Sequence, residues 1–231
     1  MTTGTTIGTL NEGPLHAALK ASYLTDGGES EVSVGNFVAD AVAFGVTYEI
    51  QTGSFSGLQR KLSVLLEAGP LVLVHPIAAR KTIIKLPTAE DEEATRRRSP
   101  KKGHISHIVS QLVYIPQLLN HPNFAVEAVL VDVEEVRIHD PKKVRRRGGW
   151  RVHERRLVEI KDRLRIRTAL DLYEFLHEPL PSPFTTQDLA AALRQPALIA
   201  RQMAYCLRKA GVTQVCGKQG QFLSYQAVEL P

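Results

Sequence analysis

Asp40 and Glu49 stand nine residues apart in the stretch VADAVAFGVTYEIQ, residues 38–51, which otherwise reads as an apolar hairpin. A two-residue turn at Phe44–Gly45 pairs Ala43 with Val46 and, counting outward, sets Asp40 opposite Glu49. Side chains alternate along a strand, so both carboxylates face the same way. The other face receives Ala39, Ala41 and Ala43 against Val46, Tyr48 and Ile50, an apolar packing face. A second two-residue turn at Gly35–Asn36 brings Glu31 into the same row, with Ser33, Val38 and Gln51 in the next. Opposed Cβ atoms lie about 4.5–5.5 Å apart, so three carboxylates in a row repel. Solvent, raised pKa values or a bound cation would relieve them. Hard oxygen ligands grouped this way suit Mg²⁺, with Mn²⁺ as its substitute. The weak point of the count is Phe44, since a two-residue hairpin turn wants left-handed backbone.

The elements around the row are short. Residues 14–24 have a helical apolar stripe with Pro14 at the first position. Residues 30–34, 36–44 and 46–52 read as three strands. A helix should begin near Ser54 or Ser56 and stop at Gly69–Pro70. LVLVHPI reads as a buried strand, with KTIIKL as a further one. Residues 87–104, an acidic block followed by a basic one, read as a mobile loop. A helix over about 105–119 follows, then the strand FAVEAVLVDVEEVRIHD, a basic loop to residue 156 and a last strand, LVEIKDRLRI.

Helix, three-strand meander, helix, strand, with Asp on the second strand and Glu-x-Gln on the third, resembles the core of the PD-(D/E)XK nuclease superfamily. The resemblance covers about residues 14–80. It implies an α/β fold with a mixed α+β sheet and a restriction-endonuclease-like core. It also implies metal-assisted phosphodiester hydrolysis, with Asp40 and Glu49 holding Mg²⁺ and Glu31 helping. Ala39 replaces the motif's proline, and Gln51 stands where the family usually has Lys. Lys61, on the following helix, is the candidate for a migrated cation. Asp40, Glu49, Gln51 and Lys61 are thus the expected catalytic set. A solvated face of an edge hairpin is the competing reading.

The segment 178–184, EPLPSPF, reads as a linker between a domain at 10–177 and a smaller one at 185–231. The latter has the pattern helix, helix, two-stranded wing of a winged helix-turn-helix. Arg201, Tyr205 and Arg208, with Gln202 alongside, form a polar stripe for phosphates and base edges, and Lys218 sits at the wing tip. Two further basic runs would neutralise phosphates: Arg96, Arg97, Arg98, Lys101 and Lys102, and then Arg145, Arg146 and Arg147 with Trp150 placed to stack on a base.

The net charge of +5 hides an uneven distribution. Residues 1–86 are near neutral, whereas 141–167 hold twelve Lys/Arg against three Asp/Glu. That favours a polyanionic partner. Cys206 and Cys216 are too few for a disulfide framework and read as buried thiols in a reducing cytoplasm. No apolar run is long enough for a membrane span, the N-terminus lacks signal-peptide character, and no phosphate-binding glycine motif points to ATP. The expectation is a cytoplasmic, Mg²⁺-dependent endonuclease acting on duplex or branched DNA. Homodimerisation is compatible with it, because cutting both strands takes two sites. The alternatives are a DNA-binding regulator with an inactive nuclease-like domain and an RNA-processing endonuclease.

Overall fold

The computed structural model describes residues 12–24, 27–89 and 93–228. The leader reading of residues 1–11, part of the acidic block (90–92) and the end of the C-terminal segment (229–231) lie outside the described residues.

Helix α1 (Pro14–Ala21) leads into β1 (Glu29–Val34), β2 (Phe37–Ala43) and β3 (Val46–Ile50), then α2 (Gln59–Ala68) and β4 (Leu71–Lys85). β5 (Thr95–Arg98), the one-turn helix α3 (Val109–Leu112), β6 (Phe124–His139) and β7 (Trp150–Ile166) follow. The seven strands form one mixed sheet in the order β1-β2-β3-β4-β6-β7. β3–β4 and β4–β6 are parallel and the other pairs antiparallel, which makes the class α/β with a mixed sheet. β4 is long enough to be paired twice on one edge, by β3 along residues 71–74 and by β5 along residues 82–85.

Both tight turns occur where the sequence placed them, with Val34 opposite Phe37 and Ala43 opposite Val46. Phe44 accepts the left-handed geometry at φ 51°, followed by Gly45 at φ 74°, and its ring is exposed. Two apolar clusters lie on opposite sides of the sheet. Leu15 and Leu19 of α1 cover Ile50, Val72, Val74 and Val131. On the other side Leu62 and Leu65 of α2 pack with Leu71, Leu73, Ile108 and Leu112.

That second cluster runs without a break into the C-terminal segment. A 3₁₀ stretch (Ala169–Phe175) precedes β8 (Phe184–Thr185), α4 (Thr186–Leu193), α5 (Ala197–Lys209), β9 (Thr213–Gln219) and β10 (Phe222–Ala227). The three strands make a small sheet in the order β8-β10-β9. Thr185 caps α4 as its sequence suggests: its Oγ1 accepts from the N–H groups of Gln187 and Asp188. Leu189, Ile199, Ala200 and Met203 bury themselves in the cluster that holds Ile108 and Leu112.

Several expectations are corrected. Residues 95–98 are not loop but the strand β5, which satisfies its backbone on β4 although all four side chains are exposed. LVLVHPI and KTIIKL are one strand, continuous through Pro76. The helix over 105–119 is broken into 3₁₀ turns around α3, and Pro116, lacking an N–H, starts the last of them. α2 begins at Gln59, because Gly57 sits at φ 82° just before it. The basic loop ends at Gly149, since β7 already runs from Trp150 as the partner of β6. Phe184 belongs to β8 rather than the linker and stacks on Tyr225 at 5.7 Å. Cys206 is buried, its thiol pushed up to about 12 by burial, but Cys216 is exposed on the small sheet's edge strand. Among the described residues no helix is long and apolar enough to cross a membrane.

Candidate active site

The recorded pairing of β2 with β3 ends at Ala41–Tyr48, one step short of Asp40 and Glu49. There Asp40 Oδ2 accepts the Ile50 N–H at 2.7 Å, a hydrogen bond to a charged acceptor in place of a strand carbonyl. β3 continues along β4, with Glu49 paired to Leu73 and the Gln51 N–H bonded to the Val74 carbonyl at 2.8 Å. The two carboxylates therefore stand at a fork in the sheet.

Each carboxylate has a basic partner from a different helix. Lys61 Nζ of α2 donates to Glu49 Oε1. His16 Nε2 of α1 lies 3.1 Å from Asp40 Oδ2, and its Nδ1 lies 2.7 Å from Glu12 Oε1. Lys20, one turn further, bonds Glu12 at 2.9 Å and Glu31 at 3.3 Å. Glu12, His16, Lys20, Glu31, Asp40 and Lys61 line a cleft of about 310 Å³.

Glu49 is 4% exposed, and its Oε2 is buried without a hydrogen-bond partner among the described residues. Burial and the Asp40 charge push its pKa up to about 7, against the pull of Lys61. Burial also works against ionised Asp40, but His16, the Ile50 N–H and Lys61 outweigh it and lower its pKa. Two neighbouring carboxyls whose environments drive their pKa values apart are a familiar acid–base arrangement. His16 is raised overall, because Asp40 and Glu12 overcome its desolvation.

The structure brings Asp40, Glu49 and Lys61 together and turns Gln51 aside. Gln51 Nε2 donates to the Ser54 carbonyl at 2.7 Å, and its own carbonyl lies 2.6 Å from His75 Nδ1. Glu31 takes φ 56° within β1 and sends its carboxylate to Lys20. No group of three or more His, Cys, Asp or Glu is arranged as metal ligands among the described residues. The orphaned Glu49 Oε2 beside Asp40 nevertheless fits Mg²⁺, which takes one or two carboxylates and completes its shell with water and phosphate oxygens.

Sequence reasoning missed Glu12, His16 and Lys20. Their i, i+4, i+8 spacing was the signal, with Glu12 just ahead of α1 and His16 and Lys20 on it, hidden beside the apolar stripe of Leu15 and Leu19.

The expected nucleic-acid residues are spread over the rest of the surface. Arg96, Arg97 and Arg98 are exposed on β5, with Arg96 at 2.5 Å from Glu134, and Lys101 and Lys102 are exposed beyond them. Arg145 and Arg146 are exposed at the β6–β7 end; the Arg147 side chain lies outside the described set. Trp150 is half-buried, with Lys85 Nζ 4.3 Å from its ring centroid. On α5, Arg201, Tyr205 and Arg208 are exposed, whereas Gln202 is half-buried and accepts from Ser110 Oγ at 2.8 Å. Lys218 is exposed on β9.

A protein of Treponema pallidum (strain Nichols), described as "Uncharacterized protein", is 28% identical over 222 residues, covering 96% of this chain and 87% of that one. No solved structure matches the chain. Residues 13–167 match the family described as Domain of unknown function (DUF8091), which takes in α1 through β7 and the cleft residues His16, Lys20, Glu31, Asp40 and Lys61, though not Glu12, and the chain belongs to that family.

Proposed function

We propose that the chain is a metal-dependent endonuclease hydrolysing DNA phosphodiester bonds. The observation that carries the reading is the fork: Asp40 and Glu49 stand where β2 parts from β3, with Lys61 on Glu49 from the next helix. The order α1, β1, β2, β3, α2, β4 is the one a restriction-endonuclease-like core requires. β8, α4, α5, β9 and β10 have the order of a winged helix, and Arg201, Tyr205 and Arg208 lie on the exposed face of α5, available to DNA.

Mg²⁺, when bound, would polarise the scissile phosphate and acidify the attacking water. Asp40 is held ionised and oriented by Ile50 and His16. Glu49, titrating near neutrality, supplies the second carboxylate once its proton is displaced. Lys61 supplies beside Glu49 the positive charge that Gln51 lacks, where it would stabilise the phosphate's growing negative charge. In hydrolysis the water oxygen bonds to phosphorus, the P–O ester bond breaks, and the departing oxygen takes up a proton.

The test is cleavage of labelled duplex, branched, single-stranded and RNA substrates with Mg²⁺ or Mn²⁺, wild type beside Asp40→Asn and Glu49→Gln. Metal-dependent cutting lost in both variants supports the reading; cutting retained in both sinks it. A second reading, the DNA-binding regulator, draws on the Gln51 side chain being bonded to Ser54. Salt-sensitive binding without cutting on every substrate would favour it.

A further inference from the structure

We propose that a cationic pocket at the bulge of β4 holds a backbone phosphate of the nucleic acid whose scissile bond lies in the carboxylate cleft. The inference rests on the nuclease reading and specifies its substrate as one long enough to touch both places.

The pocket is built by backbone geometry. The β4–β6 register shifts between Ala78 and Arg80, so the strand bulges there. The chain after β5 is pinned against the bulge: the Ser99 N–H bonds the Lys81 carbonyl at 2.8 Å and the Gly103 N–H bonds the Ala78 carbonyl at 2.9 Å. A Cβ on Gly103 would meet the Ala78 oxygen at 2.4 Å, so only glycine allows this approach. Between these two ties Arg80, Arg98 and Lys102, with the hydroxyls of Thr82 and Ser99, line a cleft of about 290 Å³.

Five cations line this cleft, Arg80, Lys81, Arg96, Arg98 and Lys102, and two of them are committed. Lys81 is paired with Glu135 and Arg96 with Glu134. Among the described residues no acidic partner is recorded for Arg80, Arg98 or Lys102. One carboxylate, Asp132, shares the cleft; its Oδ2 lies 3.7 Å from Lys161. Asp132 stands opposite Arg80 on the β4–β6 ladder with its Oδ1 unpaired among the described residues, so one acid faces Arg80, Arg98, Lys102 and two hydroxyls, and the excess of donors suits a phosphate.

Side matters as well as charge. Partnered residues on paired strands face the same side. Arg98, Thr82 and Glu134 form one row; Arg97, Ile83 and Glu135 form the next, on the opposite side. Lys81 shares its side with Val133, which packs in the α1 cluster, so Arg98 faces the side that α2 covers. Lys61 reaches Glu49 from that same side. Arg80 is seven residues beyond Leu73, the partner of Glu49. At about 3.3 Å per residue, less the bulged one, the separation is roughly 20 Å. That is several times the roughly 3.4 Å axial rise per nucleotide of a duplex strand, so a substrate that touches both places is several nucleotides long. A mononucleotide cannot bridge it.

The experiment is binding of a labelled duplex in metal-free buffer across a salt series, for wild type, Arg80→Ala/Arg98→Ala and the equal-charge control Arg60→Ala/Arg194→Ala. Inorganic phosphate is titrated separately against the same proteins. All four arginines are exposed, so melting midpoints check that folding is intact. The expected result is an affinity loss of about tenfold in the first variant, with its salt slope lowered by about 2, and a clearly smaller loss in the control. Equal losses in both pairs, or none in the first, would overturn the pocket while leaving the nuclease reading in place. Phosphate binding that needs Arg80 and Arg98, with duplex affinity unchanged, would also overturn it in favour of a free-anion site. Absence of duplex binding by wild type would overturn the pocket, while the cleavage panel decides the nuclease reading separately.

Discussion

Asp40 Oδ2 accepts the Ile50 N–H at 2.7 Å, at the step where β2 and β3 cease to pair. A side chain thus completes a sheet hydrogen bond, and its aim is fixed by the backbone it serves. Structure and chemistry at Asp40 are separable by substitution. Asp40→Asn retains an oxygen acceptor for Ile50, whereas Asp40→Ala leaves that N–H bare, at a cost of about 1–3 kcal/mol. Chemical denaturation should show Asp40→Ala clearly less stable than Asp40→Asn, with both devoid of metal-dependent cleavage. Equal stability of the two would mean that the Ile50 bond contributes little.

Glu49 makes stability depend on pH. Its folded-state pKa, about 7, exceeds the ordinary 4.5, so the folded chain holds the proton more tightly. That contribution is complete below 4.5 and is lost as pH rises to about 7. At 1.36 kcal/mol per tenfold it is of order 3 kcal/mol. His16, also raised, adds a decline of the same sign. Melting curves of wild type should therefore fall from about pH 5 to about pH 8, and Glu49→Gln should flatten most of the fall. Added Mg²⁺ should stabilise wild type more at the upper end, because metal binding needs the ionised carboxylate.

On the nuclease reading, Lys61 takes the role that a Lys at position 51 would fill. Lys61 touches Glu49, and Gln51 serves the Ser54 carbonyl. Lys61→Met should lower the cleavage rate by about a hundredfold or more, in line with loss of one preorganised charge stabiliser. Gln51→Ala should cost less than about tenfold, since its amide secures a loop. Single-turnover rates at saturating metal give the comparison. The reverse order of effects would return the catalytic role to Gln51.

The two turns were legible because two-residue turns and strand alternation are local rules, but the fork was not, since the count carries the ladder through Asp40 and Glu49 and the structure ends it one step earlier, at Ala41–Tyr48. Gly35–Asn36 and Phe44–Gly45 fixed two registers, and the carboxylate row followed by counting. The rest depended on pairings made at long range. β5 has no apolar face to betray it, and it is a strand only because β4 runs on past the end of β3. Lys61 was visible as a cation near the motif, but its contact with Glu49 depends on how α2 lies on the sheet. His16 was passed over because the apolar residues beside it explained the helix without it. The Gln51 side chain could not be placed at all, since its partner is a loop carbonyl.

The linker at 178–184 suggested two separable domains, but the apolar cluster does not divide there. Met203 of α5 is fully buried in the same cluster as Ile108, Leu112 and Leu65. The Treponema relative also aligns beyond the DUF8091 boundary at residue 167, so the C-terminal segment accompanies the sheet there too. A shared core should melt as one unit. Met203→Ala removes buried volume at the junction and should cost about 2–5 kcal/mol. Calorimetry should show a single transition in wild type and a single one, at lower temperature, in Met203→Ala. Two transitions, with only one shifted by the substitution, would show that the cluster is two cores in contact and that the linker divides the chain after all.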